Sequence, residues 1–533
     1  MAPADFLGRI SQNPPKTWND ADIKSGGTVV RLSGRTPLFD MIPTTAHAQA
    51  GDFTNAVYSR LVRFANTSGL KNIMTANIEP DLATSWESPD DTTVIMTLAP
   101  NIKWQNVAPV NGRAFTVDDI KYSFNRGSTH KNSAWKAHYG LIKSVEDVGG
   151  GKVRLNLVRP YPPILHVLAF PPLGIMPREV GEDQALSTST AIGTGGFMVE
   201  KHTPNVEVVY KRNPDFFKKD AQGRQRPYLD GFTISIVTDP ATQQAQVEAG
   251  KADMAFAPTS PLTFDNAESI AARNKNIVLQ RRPAAAPSFF LSGRYGQAPW
   301  SDLRVRQALS MLLDRDQLNR SLYKGYSYSA PYFPWPTIME NPPTPKDVGP
   351  NFAYNPAEAK KLLAAAGFAN GMEMDLHWYV SGDIESQITI YQQAAAAGGV
   401  KLNLVKAADN ATHRQKQLSK NWTGLFMVPR GLDFIDPQAV LSYFLPGNPL
   451  NTGEVDDPEL VQLNTKLNTA KGDERTALGR QVWERMLSQQ YEVALCRPDF
   501  LTWWSARTKN WRDTGLAANT GHGMGGMDQV WVS

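Results

Sequence analysis

The chain is poor in the residues that announce chemistry. Of 533 residues one is a cysteine, Cys496, so no intrachain disulfide can form. Its setting, EVALCRPDF, reads as an apolar strand in which a small buried thiol fits. A single thiol does not identify a redox compartment. The eight histidines, at 47, 130, 138, 166, 202, 377, 413 and 522, never recur at i, i+3 or i+4, so no helical zinc pair is indicated. H-E-x-x-H, G-x-x-x-x-G-K-[ST] and G-x-S-x-G are all missing. S-x-x-K matches, Ser133 to Lys136 and Ser321 to Lys324 among them, lack the companion motifs that would make them catalytic. An enzyme would have to assemble its site from residues distant in sequence.

Other absences bound the setting. No apolar run of about 18 residues occurs, so no membrane-spanning helix is expected. Lys and Arg total 55 against 51 Asp and Glu, a net charge of +4, with no basic block, so no nucleic-acid partner is expected. The opening MAPADFLGRISQNPPKTWNDADIKSGG has no charged segment leading into an apolar one, so it does not read as a secretion signal. Either the protein is cytosolic or this is a mature chain.

What is present is a soluble α/β pattern. Hydrophobic residues make up 41% of the chain and charged residues 20%, ordinary for globular protein, and the length suits several cores. Val94, Met96 and Leu98 alternate, as do Val153, Leu155 and Leu157, and Val206, Val208 and Tyr210; each set predicts a half-buried strand. Helix starts are written in caps. Thr116 with Asp119 forms a capping-box pattern; Asp239–Pro240, Asn355–Pro356 and Asp457–Pro458 pair an N-cap with proline at the first helical position. Val305, Ala308, Leu309 and Leu312 share a helix face. GTGGF, Gly193 to Phe197, departs from the dinucleotide fingerprint and reads as a turn.

One stretch asks for a specific explanation. RGLDFIDP, Arg430 to Pro437, sets two carboxylates three positions apart among apolar neighbours. TGLFMV before it reads as a strand and PQAVLSYFL after it as a helix. Asp436 is therefore placed to cap that helix, with Pro437 at its first position. Asp433 has no such structural role.

An ordered series of segments resembles the family 5 extracellular solute-binding proteins of ABC importers, the dipeptide-, oligopeptide- and nickel-binding type. The strongest is IEPDLATSWESPDDTTVIMTLAPNIKWQNVAPVNGRAFTVDDIKYSFNR, residues 78–126. VYSRLVRF at 57–64 looks like the family's early helix. AIGTGGFMVEKHTPNVEVVYKRNPDFF, YLDGFTISIVTDPATQQAQVEAGKADM, PWSDLRVRQALSMLLDRDQL and YNPAEAKKLLAAAGF follow in family order. Coverage runs from about Gly26 to about Trp504. Gly196 stands where the family usually has proline, and the opening loop GRTPLFDMIPTT also departs.

The resemblance implies a two-lobed α/β periplasmic-binding-protein fold that closes on a hinge, with an additional subdomain on lobe I. Residues 1–25 would be an arm. Lobe I would comprise 26–57, 190–283 and 490–533, the subdomain 58–189, and lobe II 284–489. It implies a receptor rather than an enzyme, without metal or cofactor, a monomer that takes a peptide or peptide-like solute and hands it to the membrane permease of an ABC importer. Oligosaccharides and metal chelates are the alternative ligands. The location implied is periplasmic or extracellular, soluble or membrane-tethered.

In peptide-binding members an aspartate at the position matching Asp433 pairs with the ligand's ammonium; the competing reading is a loop aspartate paired with Arg430. Phe434 flanks the anchor. Arg430 could hold a ligand carboxylate through its planar fork, or form a surface ion pair with Asp433. The family's usual G-W before the anchor is VPRG here. Trp335 in PYFPWP is a candidate aromatic wall. Phe39, Tyr58 and Trp378 are further candidates, each with a core role as the competing reading.

Overall fold

The computed structural model describes residues 16, 18–35, 37–42, 51, 53–65, 77–255, 262–431, 435–511 and 526–533. The chain divides into two compact units, Met1–Arg282 with Phe500–Ser533, and Pro283–Asp499.

The first unit is built on a seven-stranded mixed sheet. Its spatial order is Ile277–Arg282, Phe500–Ser505, Met254–Ala255, Thr28–Ser33, Gly231–Ile236, Glu207–Arg212 and Phe197–Thr203. Thr28–Ser33 runs parallel to Gly231–Ile236 in unbroken register, and the strands beyond Gly231–Ile236 are antiparallel. The alternation expected over 206–210 holds for Val208 and Tyr210, which are buried. Val206 is the exception at 54% exposure: it sits in the turn, donating to Thr203 O at 3.0 Å, one residue before the strand starts.

A second, antiparallel sheet in this unit joins Ala83–Asp90, Thr93–Leu98, Lys152–Leu157 and Ile142–Gly149. Val94, Met96, Val153, Leu155 and Leu157 are buried on one face of it. The helix Val117–Thr129 buries Ile120 and Phe124. Its capping box is made: Thr116 N donates to Asp119 Oδ2 at 2.9 Å. The same carboxylate accepts from Trp104 Nε1 at 3.1 Å and from Arg113, so the cap also ties down the preceding loop.

Two local expectations resolve here. VYSRLVRF is not a helix: residues 58–60 are irregular and Val62–Phe64 is a strand antiparallel to Ile78–Pro80. Its branched and ring side chains at 62 and 64 pair across the two-stranded ladder, where strand propensity outweighs the helical look of the stretch. GTGGF is a bend pressed onto neighbouring backbone. A Cβ at Gly193 would lie 2.0 Å from Val57 O and one at Gly195 2.5 Å from it, and Gly195 N donates to that oxygen at 2.8 Å. The glycines serve close backbone approach.

The second unit carries a five-stranded sheet in the order Val400–Lys406, Met372–Trp378, Leu425–Pro429, Phe289–Ser292 and Glu492–Ala494. Met372–Trp378 is parallel to both its neighbours; Phe289–Ser292 is antiparallel to both of its own. Leu425 to Val428 are all buried, as a central strand covered on both faces requires. Residues 490–499, expected with the final return to lobe I, lie in this unit, because Glu492–Ala494 completes its sheet.

Caps read from sequence are in place around this sheet. Asn355 accepts from Glu358 N at 3.0 Å, and Asp239 in the first unit accepts from Thr242 N at 2.8 Å. Asp457 accepts from Glu459 N at 2.9 Å and from Arg485 Nε at 2.9 Å. The last long helix is Gly472–Gln489.

Candidate ligand-binding site

In an open α/β sheet, ligands bind beyond the carboxyl ends of parallel strands, where connecting loops diverge. Met372–Trp378 and Leu425–Pro429 form such a parallel pair, and the residues leaving them are Tyr379 and Arg430.

Arg430 continues the Leu425–Pro429 ladder by one bond, its N–H donating to Ser288 O at 2.7 Å. Its side chain is 1% exposed. The guanidinium carbon lies 5.4, 4.8 and 4.9 Å from the ring centres of Tyr332, Tyr443 and Phe444. Glu492, from the edge strand, is its carboxylate partner: Nε donates to Oε2 at 3.3 Å and Nη2 donates closely to Oε1. Nη1 is buried and has no hydrogen-bond partner among the described residues. The surface pairing with Asp433 is therefore corrected at Arg430, which is buried and paired with Glu492. The three surrounding rings take it from solvent, and the buried Glu492 carboxylate offsets its charge there. Asp433 and Phe434 lie outside the described residues.

Asp436 is described and is the cap the sequence implied. Its Oδ1 accepts from Gln438 N at 2.8 Å at the start of Pro437–Leu441. Arg475 grips the same carboxylate with two bonds, Nη2 to Oδ1 at 2.6 Å and Nε to Oδ2 at 2.8 Å. The two acids of RGLDFIDP thus separate: one has all its oxygens committed to structure.

The aromatic candidates do not converge on one place. Trp335 is 2% exposed, and its Nε1 donates to Ala284 O at 2.7 Å within the second unit. Trp378 closes its strand at 4% exposure, with Lys406 Nζ 5.1 Å from its ring centre. Its Nε1 has no hydrogen-bond partner among the described residues. Phe39 and Tyr58 belong to the first unit and are each 1% exposed. Phe39 meets Phe53 and His202 edge-on, at 6.5 and 5.1 Å between ring centres. Burial, then the neighbouring Asp40, raises the Tyr58 phenol well beyond its ordinary value. That Asp40 is held by both Arg126 nitrogens, at 3.0 and 2.5 Å.

Sequence reading missed Arg414. It lies on Asn410–Ser419, the helix that leads into Leu425–Pro429, and is half-buried. Its Nη1 donates to Gln417 Oε1 at 2.7 Å, and no carboxylate stands within ion-pair distance of it among the described residues. Burial lowers its pKa first; Arg430 lowers it further, against Tyr443 and Tyr379. Among the described residues, two guanidiniums thus share one neighbourhood in which Glu492 is the carboxylate paired with Arg430. An arrangement of that kind accepts an anionic group, and Arg414 is the member with donors to spare. Nothing in the local sequence HRQKQ distinguishes this arginine; its one signal was helical phase, one residue from His413, whose ring stacks on Phe426 at 4.1 Å.

Among the described residues no group of three or more His, Cys, Asp or Glu could hold a metal ion, and no helix is long and apolar enough to cross a membrane.

Comparison with known proteins identifies the family and the fold. The model of the bacterial extracellular solute-binding proteins, family 5, matches residues 77–452, more than half of the chain. Heme-binding protein A of Haemophilus influenzae is 27% identical over 388 residues, 68% of this chain and 66% of its own length. The dipeptide-binding protein of Escherichia coli is 27% identical over 343 residues, 60% of this chain and 59% of its own. The chain thus matches less than two thirds of the length of these relatives. Among solved structures, the periplasmic binding protein DppA of Helicobacter pylori, in complex with the peptide STSA, superposes with a TM-score of 0.76 at 20% identity. That match covers 96% of this chain and 99% of the other. At that identity the likeness is one of fold.

Proposed function

Because the chain belongs to family 5 of the bacterial extracellular solute-binding proteins, we propose that it is a periplasmic or extracellular receptor for a peptide or peptide-like solute. It delivers that solute to the permease of an ABC importer. Family members are transport receptors, not enzymes. The monomer is the working unit in this reading.

The observation that carries the ligand class is the charge imbalance beyond the parallel strands. Among the described residues Arg414 has no carboxylate of its own, and Arg430 beside it is already matched by Glu492. A ligand carboxylate at Arg414 balances the set. Asp433, two residues beyond the described Gly431, supplies the opposite charge for a ligand ammonium, and Phe434 flanks it. A free peptide carries both groups. Charge-assisted bonds at each end leave the side chains in between unread, which suits a receptor of broad range. Trp378, whose indole N–H is unspent, is the aromatic nearest in sequence to Tyr379 and completes the set. Arg430 acts by holding Tyr443 and Phe444 in place around the site; Trp335, Phe39 and Tyr58 support the two cores.

A ligand that binds only the folded state stabilises it by about 2.7 kcal/mol at 100 times its dissociation constant. A thermal-shift series with di- and tripeptides, oligosaccharides and metal chelates, confirmed by calorimetric titration, therefore tests the reading. Peptides are expected to raise the melting temperature. A response confined to sugars or chelates would replace the ligand class while leaving the receptor assignment standing.

A further inference from the structure

Far from Arg414 in sequence, the first unit holds a buried cluster of charge that the receptor function does not use. Four cations are involved: Arg60 and Arg63, which are 4% and 6% exposed, and Lys218 and Arg226. Three carboxylates face them. Arg63 Nε meets Glu79 at 2.6 Å and Arg63 Nη1 meets Asp528 at 2.8 Å. Arg226 Nη1 meets Asp528 at 3.5 Å, and Lys218 Nζ meets Asp81 at 2.7 Å. The cluster is one positive charge in excess, and the excess sits on Arg60. That side chain has no carboxylate within ion-pair distance among the described residues. Its Nη1 donates to the neutral Asn55 Oδ1 at 3.1 Å, and only its backbone N–H reaches Asp81, at 2.8 Å. Its Nε is buried with no hydrogen-bond partner among the described residues.

A cavity lies against this group. Arg60, Arg63, Asn55, Asp81, Gly196 and Asp528 are among its lining residues. It measures about 20 Å³, room for one water-sized particle. A buried guanidinium stays charged, and a buried charge without a counter-ion is costly, so the missing partner has to be small and negative. We infer that this cavity binds a single monatomic anion, chloride under ordinary conditions, in contact with the Arg60 guanidinium. The ion brings the cluster to neutrality and ties together three distant stretches of chain: 55–63, 195–196 and 526–528. At about 20 Å³ the cavity is far below the roughly 300 Å³ of a small-molecule pocket, so the site is separate from solute capture and stands whether or not the receptor reading does.

Two measurements on the whole protein decide this. In crystals grown or soaked in sodium bromide, an anomalous peak is expected in the cavity beside Arg60. Melting temperature is expected to be higher in sodium chloride than in sodium gluconate at equal ionic strength, and Arg60→Gln is expected to abolish the difference. Water alone in the cavity would overturn the inference. So would a bromide peak with no chloride-dependent stability, which means an adventitious ion only, or an anion dependence that survives in Arg60→Gln. If that variant does not fold, the bromide and chloride measurements on the unaltered protein decide the matter by themselves.

Discussion

Asp433 and Asp436 differ by three positions and should fail in opposite ways when altered. Asp436 is 6% exposed, caps Pro437–Leu441 and receives two bonds from Arg475. Replacement by asparagine keeps an acceptor for Gln438 N, and asparagine caps as well as aspartate. What it removes is the charge opposite Arg475. That guanidinium keeps its bonds to Leu467 O, Ala470 O and Gln438 Oε1, which limits the damage. Hydrogen bonds to charged groups contribute about 1.5–3 kcal/mol, and Asp436→Asn is expected to fall in that range. Asp436→Ala loses the cap, worth ~1 kcal/mol, and strands Arg475, for a total of about 3–5 kcal/mol. Urea unfolding read by circular dichroism gives both values. Peptide affinity of the folded fraction should hold to within a few-fold in each. Asp433→Ala should do the reverse, leaving stability within about 0.5 kcal/mol and removing peptide binding. An alanine variant of Asp436 as stable as the parent refutes the cap-and-clamp argument. Full peptide affinity in Asp433→Ala refutes the ammonium anchor.

Four further outcomes follow from the same contacts. Arg414→Gln should weaken binding of a free dipeptide at least about tenfold by calorimetry, the effect of roughly 1.4 kcal/mol, and should leave binding of its C-terminal amide unchanged. Glu492→Gln leaves the ring-enclosed Arg430 without its charge partner and should cost about 3–5 kcal/mol in urea unfolding. Burial pushes the Cys496 thiol up to about 12, against the lowering effect of Arg315, so a disulfide reagent at pH 8 should label it only after denaturation. Asp528 is held well below its ordinary value: burial works upward, but Arg63, Lys218 and Arg226 outweigh it. Its contribution is full above the unfolded aspartate pKa of about 3.9 and is lost as pH falls from there toward the depressed folded value. Asp528→Asn should therefore flatten the acid limb of stability between about pH 4 and 2.

Local chemistry was legible wherever one residue decided the outcome. Thr116, Asp239, Asn355, Asp436 and Asp457 could be placed as caps because a cap acts on backbone two or three residues away. The buried strands were legible through alternation, and the error at Val206 was one of boundary, where a turn replaces the ladder. The helix expected for VYSRLVRF came from the family resemblance alone, and the pairing of Val62–Phe64 with Ile78–Pro80 makes it a strand. The site was less accessible for a physical reason. Whether an arginine is spent or available depends on partners remote in sequence: Glu492 lies 62 positions from Arg430, and it is the absence of any such partner among the described residues that marks Arg414. The order of segments along the chain led to family 5, and the match over residues 77–452 establishes it.

Native mass spectrometry of the protein, purified without denaturation from cells grown on a peptide-rich medium, tests the central claim most directly. The account predicts a retained ligand whose mass and fragmentation are those of a free peptide, lost in Asp433→Ala. A retained sugar or chelate, or a peptide held equally well by that variant, would contradict it.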